Sequence, residues 1–211
     1  MRFNSGFYTL TILSAFLLLN CKNVAAPEYP SFIDYQSIPA FAADSSVNMI
    51  VEIPAGSTAK YEINKSTYKL ELDSIAGAPR FIKYLGYPGN YGMIPNTLMR
   101  RENGGDGDPV DILMLGPSQK LGSVVMVRPI GVLELLDNGE KDDKIIAIPI
   151  ETHWSEVRDE SQLDSLYPGI KEIISTFFQN YKGPNEMELK KWNGRSEALD
   201  IIKSSVQQPK Q

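Results

Sequence analysis

Six short runs rich in β-branched residues constrain this chain most. They are MIVEI (49–53), KYEI (60–63), YKLEL (68–72), DILML (111–115), VVMVRPIGVLELL (124–136) and KIIAIPI (144–150). Each is bounded by Gly, Pro, Asn or Asp, and several alternate apolar with polar residues, the pattern of strands that bury at least one face. Strands at this spacing predict a small closed barrel. The last third changes period. In PGIKEIISTFFQNYKGP the apolar residues Ile170, Ile173, Ile174, Phe177, Phe178 and Tyr181 recur at helical spacing, and Gly183-Pro184 stops the helix. A second helix is expected from Ser196 to Val206, with Ser196 as the candidate N-cap. The expected fold is mainly β with α (α+β), a barrel with helices packed outside. At 211 residues, 42% apolar and 22% charged, one domain can hold that core.

Composition removes several function classes. The formal net charge of −5 argues against a global affinity for nucleic acid or anionic membrane. One cysteine, Cys21, rules out an intramolecular disulfide and a cysteine-based zinc site. The single histidine, His153, stands in IETHWSEV with no nucleophile signature elsewhere, so a serine–histidine triad has little to stand on.

The first residues carry an address rather than a fold. Arg2 precedes a mostly apolar run from Phe7 to Leu19, too short to span a bilayer comfortably but suited to a signal-peptide core. LLNC, ending at Cys21, resembles a bacterial lipoprotein box, although Asn20 stands where a small residue is usual. The alternatives are an ordinary signal peptide cut after Ala26, with Pro27 unfavourably placed after the cut, and an uncleaved anchor. The expectation is export to the periplasm or cell envelope, with lipidation at Cys21. The expected organisation is a signal peptide over 1–20, a tether and irregular lead-in over 21–44, a folded domain over 45–207 and a frayed tail over 208–211.

The chemistry concentrates in GGDGDPVDILMLG (104–116), where Asp106, Asp108 and Asp111 crowd together at the start of a strand. Gly107 and Pro109 break the extended alternation, so a turn can gather all three carboxylates round one point. Hard divalent cations need such oxygen-rich sites. An EF-hand reading fails, because its sixth position is Asp111 rather than Gly and its twelfth is Pro117 rather than Glu. From these residues alone, a metal site and a solvated acidic turn stand level. Other polar residues interrupt the strand-like runs: Glu52, Lys60 and Glu62, Arg80, then Asp137, Asp142 and Lys144 in LLDNGEKDDKI, and Tyr181-Lys182 at the helix end. Singly, each fits a wet strand face, a hairpin tip around Asn138-Gly139 or a helix C-terminus.

Together they resemble the soluble family I inorganic pyrophosphatases. The resemblance runs from about Val47 to at least Lys182 and is carried by VEIPAGSTAKYEI, PRFIKYLGYPGNYGMIPNT, DGDPVDIL, RPIGVLELLDNGEKDDKIIAIP and FFQNYK. It implies a five-stranded OB-type closed barrel and a magnesium-dependent hydrolysis of pyrophosphate to two orthophosphates by a metal-activated water. Manganese, zinc or cobalt could substitute. It implies Asp106, Asp111, Asp137 and Asp142 as magnesium ligands and Glu52, with Glu62, serving a metal that arrives with substrate. Asp108 is implied as general base, and Lys60, Arg80, Tyr91, Lys144, Tyr181 and Lys182 as pyrophosphate-binding groups. It also implies a homo-oligomer. Two competing classes remain, a secreted metal or polyanion binder without activity and a phosphatase of organic esters.

Overall fold

The computed structural model describes residues 29–42 and 45–207. The signal-peptide reading, Cys21 and the 208–211 tail lie outside the described residues. In chain order the strands are β1 (Val47–Ile53), β2 (Tyr61–Ile63), β3 (Leu70–Leu72), β4 (Ser74–Ile75), β5 (Ala78–Pro79), β6 (Asn90–Met93), β7 (Asp111–Met114), β8 (Val124–Asp137), β9 (Glu140–Lys141), β10 (Lys144–Pro149) and β11 (Met187–Gly194). The α-helices are α1 (Leu163–Leu166), α2 (Ile170–Asn180) and α3 (Arg195–Ser205).

Five strands close a ring in the order β1-β6-β7-β10-β8, and β8 returns to β1. This is the OB-type barrel. The length of β8 makes closure possible. Its first residues pair with β1 (Val127 opposite Val47), its middle with β10 (Gly131 opposite Ile146) and its second half with β11 (Leu133 opposite Trp192). Gly131 is needed where β10 and β11 flank it, since a Cβ there would stand 2.7 Å from the Asn193 carbonyl oxygen. Gly92 is needed for the same reason, as its Cβ would lie 1.9 Å from the Ile50 carbonyl oxygen.

Alternate strand residues serve two cores, which is why β7 and β10 read as unbroken apolar runs. Leu113, Ile146 and Ile148 pack with Ile174, Phe177 and Phe178 of α2. Ile112, Met114, Ile145 and Ala147 pack with Ala198 and Ile202 of α3. These side chains are buried, and each of them larger than alanine contributes about 1.5–3 kcal/mol through its removal from water.

The structure departs from the sequence expectations in four places. KYEI and YKLEL pair with each other as the hairpin β2–β3, outside the barrel ring. β6 and β11 were not expected: NYGM is short with a glycine inside, and a register shift between Leu189 and Lys191 breaks the alternation of MELKKWNG. Helix α3 starts at Arg195, and Ser196 does not cap it. The cap comes from another part of the chain, Asp159, whose Oδ2 accepts the Arg195 N–H at 2.9 Å. The lead-in is also no free tether over 29–42. Phe32 bridges to Lys69, Ile33 and Tyr35 are buried, and the Tyr35 ring lies 5.5 Å from that of Tyr68, so the segment straps the β2–β3 hairpin. Among the described residues no helix is long and apolar enough to cross a membrane.

Candidate active site

Strand register brings the distant acidic and basic residues to one mouth of the barrel. β10 runs parallel to β7 with Ile145 opposite Ile112, which sets Lys144 beside Asp111. Asp137 ends β8 and Asp142 follows β9, joined through Asn138 and Gly139, both at positive φ (49° and 89°) as a tight hairpin turn requires. The 104–110 loop is laid against the 97–99 segment by Met99 N–H to the Asp108 carbonyl and Gly107 N–H to the Met99 carbonyl (2.7 and 2.8 Å). Gly107, at φ +85°, turns the chain so that Asp106 Oδ1 can accept the Asp108 N–H at 2.8 Å. Glu52 stands at a β1 irregularity between Val51 and Ile53. Tyr181 and Lys182 follow the C-terminal end of α2, where Tyr181 stacks on Phe177 with ring centres 5.3 Å apart.

The outcome is one cavity of about 300 Å³. Glu52, Lys60, Glu62, Arg80, Tyr91, Asp106, Asp108, Asp111, Asp137, Asp142, Lys144, Tyr181 and Lys182 all line it. Every site residue expected from the sequence, Cys21 aside, is brought together here. His153 is not among them and lies on a separate groove beside Trp154. Three neighbours carry no clear signal in the sequence. Lys65 and Tyr87 also line the cavity, and Asp73 holds Arg80 Nη1 at 2.9 Å and Lys60 Nζ at 3.6 Å. The only hint of Lys65 and Asp73 is their position flanking YKLEL, at the two ends of a returning hairpin.

Opposite charges interleave across the cavity. Lys144, 1% exposed, reaches Asp111 and Asp142 at 2.5 Å each. Burial alone would lower its pKa, but those two carboxylates outweigh it and hold the ammonium above its usual range. Lys182 pairs with Asp137, Lys65 with Asp108 and Lys60 with Glu62. Burial raises Asp106 and Asp142, and neighbouring carboxylates add to both. Burial also holds the Tyr91 and Tyr181 phenols far above their usual value, so both remain O–H donors.

The residues fit a hard divalent cation. Seven carboxylates face five cations, a formal charge of −2 with all groups ionised. The donors are oxygens only, as magnesium prefers. Asp142 Oδ2 is buried with no hydrogen-bond donor, and the Lys182 ammonium stands 3.9 Å from it. Among the described residues no three carboxylates are drawn together as a ready metal cage, and the lysines stand between them.

Glu52 shows what this arrangement does to stability. It is 7% exposed, its Oε1 accepts the Ile63 N–H at 2.8 Å, and desolvation raises its pKa from 4.5 to about 7. The native chain therefore binds a proton that the unfolded chain has lost between pH about 4.5 and about 7. Stability from this group falls as pH rises through that window and stays low above it, by roughly 3 kcal/mol. Glu52→Gln keeps an acceptor for Ile63 and removes the charge. In chelator, the variant should match wild type near pH 4.5 and be more stable by roughly 2–3 kcal/mol at pH 8, as read by urea denaturation. A difference that does not change with pH would contradict this effect of burial.

Comparison with known proteins gives a family and the same fold. The inorganic pyrophosphatase family profile matches residues 49–210. The inorganic pyrophosphatase of Xanthomonas campestris pv. campestris is 37% identical over 166 residues, covering 76% of this chain and 88% of that protein. Inorganic pyrophosphatase 1 of Pseudomonas syringae pv. tomato is 37% identical over 185 residues, covering 82% and 97%. The crystal structure of inorganic pyrophosphatase from Thermus thermophilus aligns with a TM-score of 0.69 at 30% identity, covering 82% of this chain and 97% of that one. A ring of carboxylates and cations at the mouth of an OB-type barrel, in a chain so matched along its folded length, belongs to a member of the inorganic pyrophosphatase family.

Proposed function

We propose that this chain hydrolyses inorganic pyrophosphate to two orthophosphates at this cavity, with magnesium as the metal. The observation that carries the reading is the convergence of all thirteen expected site residues on one cavity. Members of the family depend on metal. When bound, magnesium would neutralise phosphoryl oxygens and lower the pKa of the attacking water. Asp106, Asp111, Asp137 and Asp142 would hold it, and Glu52, helped by Glu62, would serve a metal that arrives with the substrate.

The chain's own groups do the rest. Lys60, Arg80, Lys144 and Lys182 meet the charge of pyrophosphate, about −1.5 to −2 on each phosphoryl group if it behaves as a phosphate ester. Arg80 can grip two phosphoryl oxygens at once, whereas each lysine acts as a point charge. Tyr91 and Tyr181 donate O–H bonds without adding net charge. As water attacks one phosphorus and the bridging P–O bond breaks, Asp108 accepts the water's proton. The cations stabilise the charge that develops on the departing phosphate. Phosphate release from pyrophosphate should vanish in excess EDTA and return with excess magnesium. Undiminished turnover in EDTA would remove the metal from the mechanism.

The apolar run over Phe7 to Leu19 followed by Cys21 supports export, with lipidation at Cys21 anchoring the enzyme in the cell envelope. Labelled fatty acid should mark the wild type and not Cys21→Ala; label retained by the variant would sink the anchor. Family membership supports a homo-oligomer, which a single-chain mass in sedimentation equilibrium would overturn.

A further inference from the structure

Lys65 lies at the tip of the β2–β3 hairpin, and its ammonium pairs with Asp108, the general base of the proposed reaction. The hairpin tip is well fixed. Asn64 Oδ1 accepts the N–H groups of Ser66 and Thr67 at 3.0 and 3.1 Å, and the lead-in strap packs behind it through Ile33 and Tyr35. The side chain is not fixed to the same degree. Lys65 is 49% exposed, against 1% for Lys144 and 13% for Lys60, so it is the outermost ammonium of the cavity. An ion pair with both partners half-exposed contributes little stability and can be exchanged readily.

While Lys65 Nζ sits on Asp108 Oδ1, that oxygen is not open to an incoming water. A turnover-competent Asp108 needs the Lys65 ammonium to take another anion. Pyrophosphate supplies one at this mouth with more charge than a single carboxylate. We propose that Lys65 is a further substrate-binding residue, which exchanges Asp108 for a phosphoryl oxygen as pyrophosphate enters and so leaves Asp108 free to accept a proton. The assignment rests on the chain being a pyrophosphatase.

The test is steady-state pyrophosphate hydrolysis at saturating magnesium by the wild type, Lys65→Ala and Lys65→Arg, with melting curves for all three. Lys65→Ala should raise KM about tenfold while kcat stays within about twofold, the signature of lost substrate binding. Lys65→Arg should bring KM back to within about threefold of wild type, since charge rather than shape is used. Melting temperatures should be unchanged, because the pair is exposed. An unchanged KM in Lys65→Ala overturns the proposal. So does a tenfold fall in kcat, which would assign Lys65 to the chemical step, or a Lys65→Arg variant as weak as Lys65→Ala. A wild type that releases no phosphate from pyrophosphate is a different failure, because it overturns the activity itself.

Discussion

Asp111→Ala is expected to lower magnesium-dependent phosphate release by about a thousandfold or more while leaving a folded protein. Asp111 begins β7 next to β10, lies in a ring of carboxylates and shares the buried Lys144 with Asp142. In the proposed mechanism it would be one of four carboxylates that hold magnesium, so its truncation would weaken metal binding. The fold should survive for a stated reason. The Asp111 side chain is 27% exposed, and Lys144 keeps Asp142 at 2.5 Å, so no buried charge is left unpaired. Phosphate release and a melting curve on the same sample decide the matter. Activity within tenfold of wild type would contradict the ligand role. An unfolded variant would show that Asp111 is needed for structure.

Asp108→Asn is expected to lower kcat by about 10²- to 10⁴-fold, the range a general base contributes. The substitution keeps the volume and leaves the backbone N–H that Asp106 accepts. It removes the ability to take a proton. The concentration of magnesium giving half-maximal rate should move little, because Asp106 and Asp111 are retained. A rate within threefold of wild type would remove Asp108 from the role of base. A large shift in magnesium dependence with little change in kcat would make it a ligand instead.

What is legible in the sequence follows from how each feature is encoded. β10 is a mostly apolar run buried along its whole length and β8 is rich in Val, Ile and Leu through its buried middle, so composition and propensity agree, and α2 has a clear apolar stripe. The aspartates are visible because DGDPVD packs three into six residues, and Asp137 and Asp142 flank a turn signal. Choosing between a metal site and a wet turn is not a local matter. It depends on the parallel register that sets Lys144 against Asp111, a contact between residues 33 positions apart. Asp73 and Lys65 look like ordinary strand-edge charges in sequence, because their significance comes from partners on other segments. The strap over 29–42 has no periodicity, and its order comes from burying Ile33 and Tyr35 against the hairpin. The α3 cap is hidden from a local reading because tertiary structure puts Asp159 where a nearby serine is expected.

The coupling between helix and site explains why the enzyme needs its outer layer. Tyr87 is 2% exposed and lies with its ring centre 5.0 Å from Tyr91, 5.1 Å from Phe177 and 6.0 Å from Tyr181. Through this aromatic cluster the barrel strand that carries Tyr91 fixes the end of α2 that carries Tyr181 and Lys182. Aromatic pairs of this kind each add about 0.5–1.5 kcal/mol beyond the burial of their area. The two phenols that line the cavity are therefore held by the core.

The most direct measurement is phosphate release in magnesium from pyrophosphate, from ATP and from a phosphate monoester, side by side at equal concentration. The expected result is two orthophosphates per pyrophosphate, at a rate at least about a hundredfold above either of the others, a preference on the scale of one well-placed electrostatic contact. No release from pyrophosphate would mean a binding protein without activity. Equal release from the monoester would mean a general phosphatase, and either outcome would contradict a cavity built for pyrophosphate hydrolysis.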